Sequence, residues 1–427
     1  MNIIPFYNVP TMRKVGHMMV SSSSLFILIN LFVHGINFIR SMVFMRVMDM
    51  AELGLISLVQ TCMMFIGLLQ FGFLNGGYRI FAYKQDSDQI QVNNIIFSFF
   101  GVIALVLLIT WGLIYMLNVK LIIHNQYLFY TFLAGIFSLM ATWLTNTMTV
   151  KKMIPEINTV NLISGLLSVT FIPLVYAFGI MGGIISILTQ PLAFVLLSLL
   201  RYKSLRPSKL CWDKKVVMNI LSLGFVPFLV GIFTILNIQI ERWSIAYLLN
   251  VQDLGRFYLV FLFSSLFILI PTSINYLFFP KIIYFYEKGL MSEFVGQIRK
   301  FTWVLVAYGA VVTVAVLTLL QPVVDCWFPA HSVNTHYVFL LVPGLMAQLL
   351  YYSVSAILNA WKDFTSLLVS GLIGIVAAVV IIAVSSSMNR FSLTVMVYIK
   401  NISYFLPALF GAAYIFINRR KFRHKHE

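Results

Sequence analysis

Charged side chains inside apolar segments are the residues of this sequence with the most chemistry to offer. Arg40, Glu241, Arg242 and Lys400 each lie within or at the edge of a long run of apolar residues. An ionised side chain is costly in such surroundings unless it pairs, faces water or binds a charged ligand. These four residues therefore indicate ion pairing, ion coupling or the binding of a charged cargo.

Uncharged polar residues recur in two further apolar segments at helical spacing. Both sets follow the pattern i, i+4, i+7 and i+11, which puts each set on one face of an α-helix. The first set is Ser138, Thr142, Thr145 and Thr149, and the second set is Gln348, Tyr352, Ser355 and Asn359. Faces of this kind either line a water-filled cavity or pack helices together through small and hydroxyl residues. The amides Gln348 and Asn359 favour a cavity, which we expect both faces to share.

The first and seventh apolar segments add amides beside their charged residues. Asn37 precedes Arg40 by three residues, and Asn237 precedes Glu241 by four. Each amide lies on one helical face with the charged residue that follows it, which supports the same interpretation of a polar cavity. His34 is interpreted either as a neutral, hydrogen-bonded core residue or as a proton relay.

Only a membrane-spanning helical fold suits this composition. Of the 427 residues, 60% are hydrophobic and 10% are charged, and the mean hydropathy is +0.94. Apolar runs of about 20 residues match α-helices that cross a hydrocarbon core of about 30 Å, whereas a β-barrel shows alternating segments of about 10 residues. We predict an all-α integral membrane protein with about twelve spans. The predicted spans are residues 18–39, 53–77, 95–117, 127–149, 157–178, 180–200, 217–239, 254–279, 301–321, 336–360, 364–385 and 392–417.

The distribution of basic residues predicts how these spans are oriented. The formal net charge is +16, from 29 Lys and Arg against 13 Asp and Glu. Of the 29 basic residues, 22 fall on one predicted side of the membrane, six on the other, and Lys400 within a span. Because cytoplasmic loops carry the excess of Lys and Arg, we predict that both termini lie in the cytoplasm. The charge records topology, so no nucleic-acid partner is expected.

The start of the chain and the cysteines predict neither processing nor metal chemistry. The apolar run after Met1–Gly16 lacks a small-residue cleavage site, so we interpret it as a retained span. Cys62, Cys211 and Cys326 are scattered and show no metal or redox spacing. No metal, cofactor or structural disulfide is expected.

A short motif recurs after the first and the seventh predicted spans. Residues 49–54 read Asp-Met-Ala-Glu-Leu-Gly, and residues 250–255 read Asn-Val-Gln-Asp-Leu-Gly. The copies are 201 residues apart, close to half of the chain. Ordinary helix caps explain the acids but not the shared register. The register favours a duplication that produced two parallel six-helix bundles related by a pseudo-two-fold axis along the membrane normal.

The repeat also places Arg40 and Glu241 at equivalent positions, because 201 residues separate them as well. We hypothesise that the two side chains pair across the outer mouth of a cavity between the bundles, where a low dielectric strengthens their attraction. The alternative is that each side chain extends to the external interface. Glu241 is also the candidate residue for coupling to protons or sodium, unless the adjacent Arg242 neutralises it.

Together these features resemble a Wzx-type flippase for O-antigen, capsule or exopolysaccharide, within the multidrug/oligosaccharidyl-lipid/polysaccharide exporter superfamily. The resemblance rests on Arg46–Gly54, on Glu241–Tyr258 and on the basic loop Arg201–Lys215 between the two halves. We accordingly predict four parts of the chain. These are an N-terminal six-helix lobe (1–200), a basic cytoplasmic linker (201–216), a C-terminal six-helix lobe (217–418) and a basic cytoplasmic tail (419–427).

The resemblance implies a cargo and partners. The cargo is an undecaprenyl-pyrophosphate-linked oligosaccharide, moved across the inner membrane by alternating access, and the partners are membrane lipids and other polysaccharide-assembly proteins. Arg and Lys supply charge-assisted donors to pyrophosphate, and uncharged polar side chains suit sugar hydroxyls. The predicted substrate-binding residues are Arg40, Arg79, Arg242, Lys281, Lys400, Asn37, Asn237, Thr142, Thr145, Gln348, Tyr352 and Asn359. Most Lys and Arg of this chain lie at span ends, which departs from the strongly cationic cavity expected of the family.

Two other functions stay open from the sequence. An ion-coupled multidrug antiporter of the same superfamily shares the fold, but it needs a membrane-embedded carboxylate, and the spans hold almost none besides Glu241. A membrane enzyme acting on lipid-linked sugars needs acids or bases in an external loop. Asp325, His331 and His336 are the conceivable group for such an enzyme, but the external loops are short and no glycine-rich nucleotide loop occurs. We therefore predict that the chain is not an enzyme.

Overall fold

The computed structural model describes residues 12–83, 86–119 and 121–423, and the regular structure in those ranges is helical throughout. The predictions that concern residues 1–11, Lys84, Lys120 and the end of the basic tail, 424–427, lie outside the described residues. Fourteen α-helices within the described ranges form two groups of seven, which we name the N-lobe and the C-lobe.

The helices of the two lobes correspond in chain order. The N-lobe consists of α1 (Met12–Val47), α2 (Met50–Ile66), α3 (Phe73–Tyr83), α4 (Asp86–Met116), α5 (Asn125–Val150), α6 (Ile154–Thr170) and α7 (Leu174–Arg201). The C-lobe consists of α8 (Lys214–Leu248), α9 (Val251–Arg256), α10 (Tyr258–Glu287), α11 (Met291–Trp327), α12 (Thr335–Ala360), α13 (Phe364–Ser387) and α14 (Leu393–Arg423). Short 3-10 turns lie at Gly67–Gln70, Lys203–Leu205 and Pro329–Asn334.

The predicted membrane fold is confirmed, with a change in one pair of spans. Among the described residues, 11 helical stretches are long and apolar enough to cross a membrane. The remaining predicted span, 157–178, corresponds to α6, which has 17 residues and ends at Thr170. At a rise of 1.5 Å per residue such a helix is about 26 Å long, a little less than a hydrocarbon core. The predicted boundary between the spans 157–178 and 180–200 is wrong, because a turn over residues 171–173 separates α6 from α7. Gly179 instead forms a kink inside α7, with φ at 52°.

The second predicted span, 53–77, is interrupted where the two lobes approach closely. Phe71 and Gly72 adopt positive φ values of 46° and 90° between α2 and α3. A Cβ added at Gly72 would lie 2.8 Å from the backbone of Gly224 on α8, and one added at Gly76 would overlap the backbone of Ile220. Glycine therefore allows the chain to bend here and α3 to lie directly on α8.

The repeated motif forms two helix caps. Asp49 Oδ1 accepts from Glu52 N at 2.8 Å, and Asp49 N donates to the Glu52 carboxylate at 3.1 Å, which is a capping box at the start of α2. In the second copy, Asn250 Oδ1 accepts from Asp253 N at 2.7 Å at the start of α9. The polar positions of the motif thus begin equivalent helices in the two lobes.

The two glycines of the motif place the two copies in direct contact. A Cβ added at Gly54 would overlap the carbonyl oxygen of Val251, and a Cβ added at Gly255 would overlap the carbonyl oxygen of Met50. Gly54 and Gly255 are 201 residues apart, as are Met50 and Val251. The two contacts are therefore one contact repeated by the pseudo-two-fold relation, and it closes the end of the molecule formed by residues 49–54 and 250–255. We name this end the motif end.

The rest of the lobe interface follows the same symmetry. Helix α1 packs on α10, and α3 packs on α8, which are equivalent pairs under the correspondence of the two lobes. One buried apolar cluster crosses this interface and includes Phe44 and Leu53 of the N-lobe with Leu254 and Phe257 of the C-lobe. Apolar burial holds the motif end together, since its backbone groups are already used by the caps.

Candidate functional site

Three cavities in the membrane-spanning region are bordered by residues that the sequence predicted. An inter-lobe cavity of about 330 Å³ lies between α1, α2, α8 and α10. An N-lobe cavity of about 460 Å³ lies between α1, α2, α5, α6 and α7, and a C-lobe cavity of about 230 Å³ lies between α8, α12, α13 and α14. Because α5, α6 and α7 correspond to α12, α13 and α14, the N-lobe and C-lobe cavities occupy equivalent places.

Arg242 is the cation on the wall of the inter-lobe cavity. Its Nη1 donates to Ser57 O and to Gln60 Oε1 of α2, both at 3.3 Å, and its guanidinium carbon lies 4.4 Å from the centre of the Phe261 ring. No carboxylate lines this cavity within the described part of the chain. The groups that contact the guanidinium are therefore neutral, and the Glu241 carboxylate that acts on its charge from a greater distance is itself paired with Lys400. An anion in the cavity can bind the guanidinium directly.

The other walls of the inter-lobe cavity are uncharged and combine polar with apolar side chains. His34, Asn37 and Ser41 line it from α1, and Tyr258 and Ser265 line it from α10. The Asn37 side-chain oxygen is buried and has no hydrogen-bond partner in residues 12–83, 86–119 and 121–423. A guanidinium beside hydroxyl and amide groups suits a ligand that carries both phosphate and hydroxyl groups.

Arg40 borders the N-lobe cavity and not the inter-lobe one. The residue is buried, and its Nη1 donates to Ser186 O of α7 at 3.1 Å. On the α5 face, the hydroxyls of Thr142 and Thr145 donate to backbone carbonyls four residues earlier, at 2.9 and 2.8 Å. Because those hydroxyl protons are used within α5, the face presents acceptors to the cavity while Arg40 presents donors.

The C-lobe cavity has amide groups and an aromatic wall. Asn237, Gln348 and Asn359 line it together with Tyr404. The side-chain oxygens of Asn237 and Gln348 are buried and lack hydrogen-bond partners among the described residues, whereas the Asn359 amide donates to Ser355 O at 2.7 Å. Buried acceptors of this kind are normally satisfied, so water or a ligand hydroxyl fits here.

The two polar faces predicted on α5 and α12 thus line separate cavities. Ser138, Thr142 and Thr145 border the N-lobe cavity, and Gln348 and Asn359 border the C-lobe cavity. The expectation of one shared cavity is wrong. Helices α5 and α12 turn their polar faces into their own lobes, whereas the lobes meet chiefly through α1–α3 and α8–α10.

Glu241 forms a buried ion pair with Lys400 of α14. The distance from Lys400 Nζ to Glu241 Oε2 is 3.1 Å, and the two side chains are 0% and 8% exposed. The hypothesis that Arg40 pairs with Glu241 is wrong, because each of these residues faces into its own lobe, Arg40 toward α7 and Glu241 toward the equivalent helix α14. Arg242 lies about 100° further round α8 and contacts α2 and α10 instead.

Four predicted binding residues line none of the three cavities, and one of them is Lys400, which is buried against Glu241. Arg79 is exposed and donates from Nη1 to Leu223 O at 3.2 Å, across the contact between α3 and α8. Lys281 is exposed on α10. Tyr352 is partly buried against the apolar core, and its neighbour Tyr351 lines the C-lobe cavity in its place.

The group that an enzyme would need is not assembled between α11 and α12. Asp325 Oδ1 accepts from Ser332 Oγ at 2.5 Å and from Gln321 Nε2 at 2.9 Å. His331 is buried, and the Nδ1 of His336 lies 2.6 Å from a backbone carbonyl oxygen three residues earlier. Within the described ranges these two histidines and Asp325 share no hydrogen bond, so they do not form an acid–base pair.

Sequence reasoning missed several polar residues of the cavities. Gln60 contacts Arg242 in the inter-lobe cavity, and Asn161 and Gln190 line the N-lobe cavity. Each of these is an amide inside an apolar run, which is the signal that identified Gln348. A search of every predicted span for amide residues within apolar runs would therefore have identified Gln60, Asn161 and Gln190.

Comparison with known proteins identifies the fold. No protein-family model and no curated protein matches this chain. An inward-facing multidrug resistance transporter of the MATE family, in the MOP superfamily, superposes with a TM-score of 0.74 at 11% identity, over 94% of this chain and 99% of that one. The lipid II flippase MurJ, in an inward closed conformation, gives 0.73 at 14% identity, over 94% and 89%. An outward-facing MATE family transporter gives 0.60 at 11% identity, over 94% and 96%.

The chain therefore has the fold of MATE transporters and MurJ. Nearly the whole of each compared structure is covered, so the likeness extends to both lobes and not to one bundle alone. The structures that it resembles are transporters and not enzymes.

Proposed function

We propose that this chain translocates undecaprenyl-pyrophosphate-linked oligosaccharide units across the cell inner membrane by alternating access, as a step of polysaccharide biosynthesis. Its fold is found in transporters, and a lipid II flippase is among the similar structures. A pyrophosphate and a sugar chain lose their hydration in hydrocarbon, so a path across the membrane must replace water with donors and acceptors. The three cavities offer both kinds of group.

The observation that carries the proposal is the sign of the charge in the cavities. Arg242 lines the inter-lobe cavity and Arg40 lines the N-lobe cavity. No carboxylate among the described residues lines any of the three cavities. A guanidinium binds phosphate through paired, charge-assisted hydrogen bonds, whereas a cationic cargo would meet a like charge. This arrangement supports an anionic cargo.

The oligosaccharide part of the cargo is supported by the uncharged groups. The N-lobe cavity is lined by the hydroxyl face of α5, with Thr142 and Thr145, and also by the amides Asn161 and Gln190. Sugar hydroxyls both donate and accept, so they need acceptors and donors within one space. The threonine hydroxyls donate to backbone carbonyls within α5, so the amide groups of Asn161 and Gln190 supply hydrogen-bond donors to the cavity.

An ion-coupled multidrug antiporter is less well supported. Such a protein needs a carboxylate that faces its cationic substrate, and Glu241 is the buried carboxylate of the described chain. Glu241 lines none of the three cavities and is 3.1 Å from the Lys400 ammonium. A cationic drug would have to displace that ammonium to reach it.

The proposed orientation puts the motif end at the outer face of the membrane and both termini in the cytoplasm. The asymmetry of basic residues supports this orientation. The superposition supports it as well, because the TM-score is 0.74 with the inward-facing MATE structure and 0.60 with the outward-facing one. An inward-facing transporter is closed at its outer face, and the motif end is the closed end of this chain. In this proposal the N-terminal lobe spans 1–200 and the C-terminal lobe 217–418, joined by the cytoplasmic linker 201–216 and followed by the tail 419–427. Other polysaccharide-assembly proteins and membrane lipids are the proposed partners.

Binding to the purified protein tests the proposal. We expect an undecaprenyl-pyrophosphate oligosaccharide to raise the melting temperature in detergent by several degrees, because a ligand that binds only the folded state stabilises it by about 2.7 kcal/mol at 100 times its Kd. Undecaprenyl phosphate without sugar should give a smaller shift. The cation tetraphenylphosphonium should give none, and stabilisation by that cation alone would contradict an anionic cargo.

A further inference from the structure

The ammonium of Lys400 is fully engaged inside the C-lobe. Besides its 3.1 Å contact with Glu241 Oε2, it donates to the carbonyl oxygen of Asn237 at 2.5 Å. It also lies 4.6 Å from the centre of the Tyr404 ring, within range of a cation–π contact. A lysine ammonium has three donors and no acceptor, so a carboxylate, a carbonyl and a ring face account for all of its directions.

These partners are also the groups that hold a bare cation. Hard cations take carboxylate and carbonyl oxygens as ligands, and the ammonium stands among one of each. The side chain of Lys400 is 0% exposed, so bulk solvent does not compete for this place.

We propose that Lys400 is the built-in cation of a monovalent-cation site in the C-lobe, formed by the Glu241 carboxylate and the backbone carbonyl oxygen of Asn237. The protein's own ammonium does here what a free alkali cation would do, which is to neutralise a buried carboxylate and tie α8 to α14. The consequence is that neither the stability nor the cycle of the protein requires sodium or potassium at this place. The inference goes beyond the proposed cargo, since it concerns the cation and not the substrate.

Removal of the ammonium should turn this place into a site for a free cation. Lys400→Met keeps most of the side-chain volume but removes the ion-pair partner of the buried Glu241 carboxylate and leaves only the more distant charge of Arg242 beside it, which is strongly unfavourable. Sodium from solution can replace the lost charge. We expect the melting temperature of Lys400→Met to rise by several degrees when about 100 mM choline chloride is replaced by sodium chloride, because an ion that binds only the folded state stabilises it. We also expect this variant to bind ²²Na⁺ saturably, which wild type should not do.

Two further variants identify the source of the effect. Lys362→Met breaks a 2.7 Å ion pair with Glu287, in which the Lys362 side chain is 67% exposed and the Glu287 side chain 45% exposed. Because an exposed pair contributes little to stability, the melting temperature of this variant should not respond to sodium. The double variant Glu241→Gln with Lys400→Met has no carboxylate left at this place for a cation to bind, while the neighbouring Arg242 is unchanged. It should regain the wild-type melting temperature in choline chloride and lose ²²Na⁺ binding.

The outcomes decide the inference even when Lys400→Met folds poorly. In wild type, exchange of sodium and potassium for choline at constant ionic strength should shift the melting temperature by less than about 1 °C, because there is no free cation to remove. A wild-type protein that binds ²²Na⁺ in a manner abolished by Glu241→Gln would overturn the inference. So would a folded Lys400→Met protein that ignores sodium, potassium and lithium.

Discussion

Gly255→Ala is expected to reduce transport by at least about tenfold while the protein still inserts and folds, because 1.4 kcal/mol of bias between two conformations already changes their ratio tenfold. The new Cβ would overlap the carbonyl oxygen of Met50, and Gly54→Ala would overlap that of Val251 in the equivalent way. Backbone atoms at a capped helix start cannot move aside as a flexible side chain can. The lobes must therefore separate at the motif end.

Accessibility of the inter-lobe cavity measures that separation. In a background with Cys62, Cys211 and Cys326 replaced by alanine, Ser41→Cys places a single thiol on the cavity wall. A membrane-impermeant maleimide applied to the outer face should label this thiol faster when Gly255→Ala is also present.

Gly101→Ala is the matched control for both readouts. Gly101 lies in α4, and nothing lies within 4 Å of a Cβ added there. Transport and labelling should equal those of the parent. Normal transport in Gly255→Ala would show that the closed motif end is not a state the protein must visit.

Arg242→Gln is the second substitution with a large expected effect. Loss of charge-assisted hydrogen bonds to a phosphate costs about 1.5–3 kcal/mol, which corresponds to about a 10- to 100-fold loss of binding. Arg242→Lys keeps the charge but not the paired donors, so we expect an intermediate loss. The measurement is the affinity of the purified variant for undecaprenyl-pyrophosphate oligosaccharide, together with restoration of glycan in a deletion strain.

A structural role of Arg242 has to be separated from binding. Its Nη1 joins α8 to Ser57 O and Gln60 of α2, so the melting temperature without ligand must be measured for each variant. Lys281→Gln removes one positive charge from an exposed site of the same lobe and should leave binding within about twofold, because exposed charges are screened. Equal losses in Arg242→Gln and Lys281→Gln would show that net charge, and not the cavity, attracts the cargo.

The fold was largely predictable from hydropathy and from one motif. Apolar runs of membrane-spanning length predict the 11 spanning stretches of the described residues. Asp49 and Asn250 mark helix starts because their side chains accept hydrogen bonds from the first turn. The break between α2 and α3 was not predictable in this way. It depends on the contact of Gly72 with Gly224, which are 152 residues apart.

The site was predictable in kind but not in arrangement. Periodicity shows that Thr142 and Thr145 share a face, but not whether that face turns into its own lobe or toward the other lobe. Glu241 and Arg242 are adjacent in sequence, yet about 100° of helical rotation sends one to α14 and the other to α2. The partner of Glu241, Lys400, is 159 residues away, and no local pattern connects the two.

The leaflet in which lipid-linked units accumulate tests the central claim most directly. In cells depleted of this protein but with intact sugar-transfer enzymes, we expect single undecaprenyl-pyrophosphate-linked units to build up in the cytoplasmic leaflet, protected from membrane-impermeant glycan-modifying reagents. Expression of wild type should expose them at the outer face, and Arg242→Gln should not. Normal glycan with altered drug tolerance in depleted cells, or unpolymerised units already exposed at the outer face, would contradict the account.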